Sequence, residues 1–153
     1  MGKECLPLME AVERLNRHGL SILNASSVYL TPPWGKTDQS DFFNMVVEVG
    51  FDGGPDDLLR TAMELEREMG RVRTVQWGPR IIDIDLLAFG STVLSSQRLT
   101  IPHPMLAQRA FVLLPWAEIA SGFEVPGFQA TVSELLSRLS PQEIQAIQRV
   151  NCE

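Results

Sequence analysis

Trp77-Gly78-Pro79-Arg80-Ile81-Ile82-Asp83-Ile84-Asp85-Leu86-Leu87 joins a Gly-Pro turn to a run in which apolar and acidic residues alternate. A period of two predicts a strand over residues 81–87. Residues i and i+2 of a strand share a face, so Asp83 and Asp85 stand together, roughly 6–7 Å apart along the backbone. Ile82, Ile84 and Leu86 face the other way, into a core. Two carboxylates on one face repel unless something positive lies beside them. Magnesium meets that need, because it prefers oxygen ligands and is commonly held by one or two carboxylates plus substrate phosphates. A bare Asp-x-Asp is more often a solvated edge strand or a salt-bridge partner. Here, however, four arginines and one acidic residue lie between Arg67 and Arg80. The guanidinium fork suits phosphate oxygens, and carboxylates for metal beside arginines for phosphate are the equipment of phosphoryl transfer. There is no Gly-x-x-x-x-Gly-Lys-Ser/Thr loop and no kinase motif set.

Outward from this stretch, the periodicity predicts a helix over residues 5–17, with Leu8, Val12 and Leu15 on one face and Gly19 as its stop. Strands are predicted over 20–30 and 43–51, separated by Thr31-Pro32-Pro33 and a loop. Gly53-Gly54-Pro55 opens a second helix, whose stripe is Leu58, Ala62, Leu65 and Met69 and whose end is set at Gly70. Gly90-Ser91 is read as the turn of a short hairpin leading into 92–94, and 101–115 as loop and then helix. Thr131-x-x-Glu134 and Ser140-x-x-Glu143, the latter with Pro141, are capping boxes for two C-terminal helices. This order predicts an α+β sandwich, with helices packed on a largely antiparallel sheet. It lacks the βαβαβ rhythm of a doubly wound sheet.

The chain has 153 residues, 44 % of them apolar and 21 % charged, and is read as a single domain over 1–153. Its net charge of −6 argues against general nucleic-acid binding. No apolar run approaches the roughly 18 residues of a membrane span. The N-terminal residues carry acidic groups and lack a signal-peptide layout. A cytoplasmic protein is therefore expected, with Cys5 and Cys152 as a reduced pair rather than a disulfide.

Arg71-Val72-Arg73 followed by Trp77-Gly78-Pro79-Arg80-x-x-Asp83-x-Asp85 resembles the signature of 6-hydroxymethyl-7,8-dihydropterin pyrophosphokinases of folate biosynthesis. Ser26-Ser27-Val28-Tyr29-Leu30-Thr31-Pro32-Pro33-Trp34-Gly35, Asp41-Phe42-Phe43-Asn44, Leu99-Thr100-Ile101-Pro102-His103-Pro104 and Arg109-Ala110-Phe111-Val112-Leu113-Leu114-Pro115 resemble further family segments in the same order. The resemblance runs from about residue 2 to residue 120. It implies a ferredoxin-like core and transfer of pyrophosphate from ATP to the pterin hydroxymethyl group, with release of AMP. It also implies two magnesium ions held by Asp83 and Asp85, and catalytic help from Arg71 and Arg80. Phe42 and Phe111 match the rings that sandwich the pterin, Asn44 a contact to its edge, and Thr31, Pro32 and Trp34 the pocket wall. Glu66, Arg73, Trp77, Arg98, Thr100, His103 and Arg109 match the ATP side. The implied partners are small molecules, neither nucleic acid nor membrane, and a monomer is the default expectation.

The sequence departs from the family at its start. Met1-Gly2 aligns with the last two positions of a Gly-Ser-Asn-x-Gly motif that normally follows an apolar central strand. A misassigned start, another segment filling the gap, or a non-catalytic ferredoxin-like relative that binds a ligand or protein would each account for this. The loop between Arg73 and Trp77 is also short.

Overall fold

The computed structural model describes residues 2–31, 42–72 and 82–152. Helix α1 (Gly2–Arg17) buries Cys5, Ala11 and Leu15. It ends in a Schellman arrangement. Leu20 N–H donates to Leu15 O at 3.1 Å, Gly19 N–H donates to Asn16 O at 3.1 Å, and Gly19 takes φ +92°. That left-handed conformation suits glycine. The closing residues Leu15 and Leu20 both enter the core.

Strands β1 (Ser21–Ala25) and β2 (Val28–Thr31) run out, and β3 (Phe42–Asn44) and β4 (Val47–Gly50) run back. β1 pairs with β4 and β2 with β3, both antiparallel. The two strands expected over 20–30 and 43–51 are thus each divided. Ser26 stitches the division: its N–H donates to Val46 O at 2.8 Å, and its hydroxyl accepts from Val46 N–H at 2.9 Å.

Helix α2 (Pro55–Val72) buries Ala62, Leu65 and Met69, with Leu58 packed beside them. It does not stop at Gly70. A glycine inside a helix costs only about 1 kcal/mol, and Met69, 2 % exposed, anchors the turn that contains it. Arg71 therefore belongs to the last turn of α2. α1 and α2 are joined at their rim by Glu68, which takes Arg14 Nη1 and His18 Nε2 at 2.9 Å each.

Residues 82–89 form no ladder with any described strand, contrary to the strand expected over 81–87. The alternation is nevertheless present: Ile82 is buried, Asp83 exposed, Ile84 half-buried and Asp85 exposed. A ladder needs a neighbouring strand to exchange N–H···O=C bonds with, and the described neighbours here are α2 and the turn at His103. The Gly90-Ser91 turn leads on to β5 (Leu94–Ser95), whose antiparallel partner is β6 (Thr100–Ile101). That corrects the hairpin expected within 90–94.

A 3-10 turn (Leu106–Gln108) precedes α3 (Ala110–Ala120). The small pair β7 (Glu124–Val125) and β8 (Ala130–Thr131) follows, then α4 (Val132–Ser137), α5 (Pro141–Gln145) and β9 (Gln148–Val150). Thr131 and Glu134 form the expected capping box, and Ser140 caps α5. Leu106, Leu113, Trp116, Val125, Val132 and Leu135 make a second core between α3 and α4. β9 pairs with β2, giving the order β3-β2-β9. This pairing brings the C-terminal residues to α1, where Cys152 is bonded to Cys5 with Cα atoms 5.8 Å apart. The reduced pair expected from sequence is thereby corrected. The whole is an α+β fold of antiparallel strands with helices packed on them. Among the described residues, no helix is long and apolar enough to cross a membrane.

Glu118, on α3, clamps β2. It accepts Tyr29 Oη at 2.6 Å, Ser27 N at 3.0 Å and Ser27 Oγ at 3.0 Å. Burial, and then the Glu118 hydrogen bond, push the Tyr29 phenol up to about 12. A group with a raised folded pKa contributes stability below its unfolded value, about 10 for tyrosine, and loses that contribution as pH rises through its folded value. Tyr29→Phe should therefore cost about 2 kcal/mol at neutral pH. In urea unfolding, the gap from the parent protein should narrow as pH climbs from about 10 towards about 12.

Candidate functional site

The acidic pair is set by what lies behind it. Ile82 and Ile84 pack against Leu65 and Met69 of α2, with Ala11 and Leu15 of α1 beyond. With Ile82 buried and Ile84 half-buried, Asp83 and Asp85 are left exposed. The backbone between them is held by α2: Ile84 N–H donates to Glu66 Oε2 at 2.7 Å. Three residues on, Leu87 O accepts His103 N–H at 2.9 Å, and Leu87 and Ala88 pack on the α3–α4 core.

That second bond brings His103 to the acidic segment. Its Nδ1 receives Met105 N–H at 3.2 Å. A backbone amide only donates, so the neutral ring carries its proton on Nε2. Burial lowers the imidazole below its usual pKa; Asp85 pulls it up, and Arg109 adds to the lowering. His103 therefore senses the charge of both Asp85 and Arg109. Arg109 also lies over the Phe111 ring, with its guanidinium carbon 5.6 Å from the centroid. Thr100 lies in β6, three residues before His103, and Arg98 is exposed in the turn between β5 and β6.

A second group lies on β2, β3 and α3. Asn44 Nδ2 donates to Thr31 Oγ1 at 3.2 Å, and Thr31 is 2 % exposed. In the ladder Thr31 stands opposite Phe42, and Tyr29 opposite Asn44. Phe111, on the first turn of α3, is half-buried beside Tyr29, Ala110 and Ile147. The Tyr29–Glu118 clamp fixes this strand against this helix. Sequence reading missed the clamp, although Glu118 is the one charged residue in the otherwise apolar Ala110–Ala120 segment. Such a residue has to find polar partners. Pro32, Trp34, Arg73, Trp77 and Arg80 lie outside the described residues, as do the side chains of Phe42 and Arg71.

The described residues contain no group of three or more His, Cys, Asp or Glu placed to hold a metal. Two exposed carboxylates do not make a closed zinc-type cage. They do fit magnesium, which binds oxygen only and keeps positions open for water and phosphate.

A profile of the family described as 7,8-dihydro-6-hydroxymethylpterin-pyrophosphokinase matches residues 1–121. A 2-amino-4-hydroxy-6-hydroxymethyldihydropteridine pyrophosphokinase of Methylorubrum extorquens is 41 % identical over 149 residues, covering 97 % of this chain and 93 % of that protein. The protein of the same description from Bacillus subtilis is 41 % identical over 118 residues, covering 76 % of this chain and 71 % of its own. That of Haemophilus influenzae is 35 % identical over 137 residues, covering 89 % and 83 %.

The charge relations around His103 can be read by NMR titration of its imidazole. Its pKa should lie below the ordinary value of about 6.5. Asp85→Asn should lower it further, and Arg109→Gln should raise it; no response to either change would separate these groups.

Proposed function

This chain belongs to the 7,8-dihydro-6-hydroxymethylpterin-pyrophosphokinase family, and on that premise we propose which of its residues carry the reaction. The chain is an ATP-dependent pyrophosphokinase of folate biosynthesis. It transfers pyrophosphate to 6-hydroxymethyl-7,8-dihydropterin and yields AMP and the pterin diphosphate ester. The observation that carries the residue assignment is the exposure of both Asp83 and Asp85 beside buried Ile82 and half-buried Ile84.

Asp83 and Asp85 would hold magnesium, two ions in the full site. The metal would supply positive charge to neutralise the phosphates during transfer. The protein's own groups do the rest. His103, neutral with Nε2–H free of the Met105 contact, donates a hydrogen bond to a phosphate oxygen on the Asp85 side. Arg109, beside it, adds fixed positive charge, and Arg98 and Thr100 extend the nucleotide side. Arg71, at the end of α2, and Arg80 stabilise the charge that develops on the transferring group. Arg73 and Trp77 complete the closure over ATP.

The pterin takes the second group of residues. Phe111 and Phe42 cover its two faces, since a flat heterocycle gains from aromatic rings on both sides. Asn44 meets its amide-like edge, where an unpaired polar group would otherwise be costly. Thr31, Pro32 and Trp34 form the wall. The Thr31–Asn44 bond supports this role because it fixes the Asn44 side chain before any ligand arrives. The protein acts in the cytoplasm as a monomer, without nucleic-acid or membrane partners.

Incubation with ATP, magnesium and the reduced pterin should release AMP. Well-folded protein that releases none would favour a non-catalytic, ligand-binding relative. Asp83→Ala and Asp85→Ala should each lower turnover by about 1000-fold or more, the scale on which phosphoryl-transfer charge stabilisation operates, while circular dichroism stays unchanged. Full activity in either variant would remove the metal assignment.

A further inference from the structure

The amide of Ile84 lies between the two aspartates, and its partner is a side chain from another element. Glu66 Oε2 receives it at 2.7 Å, at the short end for an N–H donor and in the range of charge-assisted bonds. Glu66 is well placed for this. It follows Leu65, which is 0 % exposed, and precedes Met69, 2 % exposed, and these two fix the face of α2 against Ile82 and Ile84. Its own position is half-buried at the edge of that face.

A strand ordinarily orients its peptide planes by exchanging hydrogen bonds with a neighbour. Residues 82–89 have no such ladder among the described residues. The Glu66 bond at Ile84 and the His103 amide at Leu87 hold the segment in its place. Of the two, the Glu66 bond acts on the peptide that links Asp83 to Ile84. Fixing that plane sets the direction in which the flanking carboxylates leave the backbone.

We propose that Glu66 is a positioning residue for the Asp83–Asp85 pair, acting through the Ile84 peptide and not by touching the nucleotide. The resemblance in sequence puts Glu66 on the ATP side; the bond to the Ile84 amide gives it a role there that needs no contact with the nucleotide. The proposal deepens the assigned function and rests on it for its kinetic part.

The test compares Glu66→Gln with Glu66→Ala. Glutamine keeps an oxygen that can accept Ile84 N–H; alanine has none. In the free protein, amide hydrogen exchange at Ile84 should speed by about 10-fold or more in Glu66→Ala and stay near the parent value in Glu66→Gln. Turnover should fall about 10- to 100-fold in Glu66→Ala, the usual cost of losing a supporting residue behind metal ligands. KM for ATP should change little, and Glu66→Gln should restore most of the rate. Unchanged Ile84 exchange in Glu66→Ala would overturn the proposal. So would a Glu66→Gln variant as slow as Glu66→Ala with a raised KM for ATP, because charge or nucleotide contact would then be the function. If Glu66→Ala does not fold, Glu66→Met keeps the stem without the oxygen and carries the same expectations. The exchange measurement needs neither ATP nor metal, so it stands even if Asp83→Ala retains activity and the metal assignment fails.

Discussion

Burial of Ile82 and Ile84 against Leu65 and Met69 is the contact on which the acidic site depends. Burial of Ile82 alone is worth about 1.5–3 kcal/mol, and the alternation of the chain then turns Asp83 and Asp85 outward. A polar substitution at Ile82 would therefore disturb the chemistry as well as the core. α2 contributes twice, once through its apolar face and once through the Glu66 carboxylate at the rim of that face.

The two candidate groups of residues are joined through α3. Leu87 and Ala88, just past the aspartates, pack on the core that α3 shares with α4. The other side of α3 reaches β2 through Glu118, Tyr29 and Ser27. Burial opposes the charge on Glu118, but the hydrogen bonds from Tyr29 and Ser27 outweigh it and hold the carboxyl below its usual pKa. The first turn of α3 carries Phe111, with Arg109 just before it on that ring. One helix thus relates the segment bearing the aspartates to the strand bearing Thr31.

Much of this was legible in the residues, and the failures have physical causes. The stripe of α2 and the caps at Thr131 and Ser140 are local signals, and they appear where the sequence put them. The alternation at 82–85 agrees with the exposure of Asp83 and Asp85 and the burial of Ile82. It did not give a strand, because period-two burial reports which way side chains turn and not whether a partner backbone is available. Gly70 failed as a stop because packing of Met69 outweighs a small intrinsic preference. The division of the first hairpin at Ser26 was hidden because a buried serine reads like any other small residue in a strand. The Glu66–Ile84 bond and the Cys5–Cys152 bond were not legible at all. They join residues 18 and 147 positions apart, and no local pattern encodes such contacts.

The Cys5–Cys152 bond closes nearly the whole chain into a covalent ring. Any single proteolytic nick between those two residues would leave both fragments tethered. A nicked molecule would migrate as one species under oxidising electrophoresis and as two once a thiol reductant is added. Digestion patterns read without reductant would therefore under-report how accessible the intervening loops are.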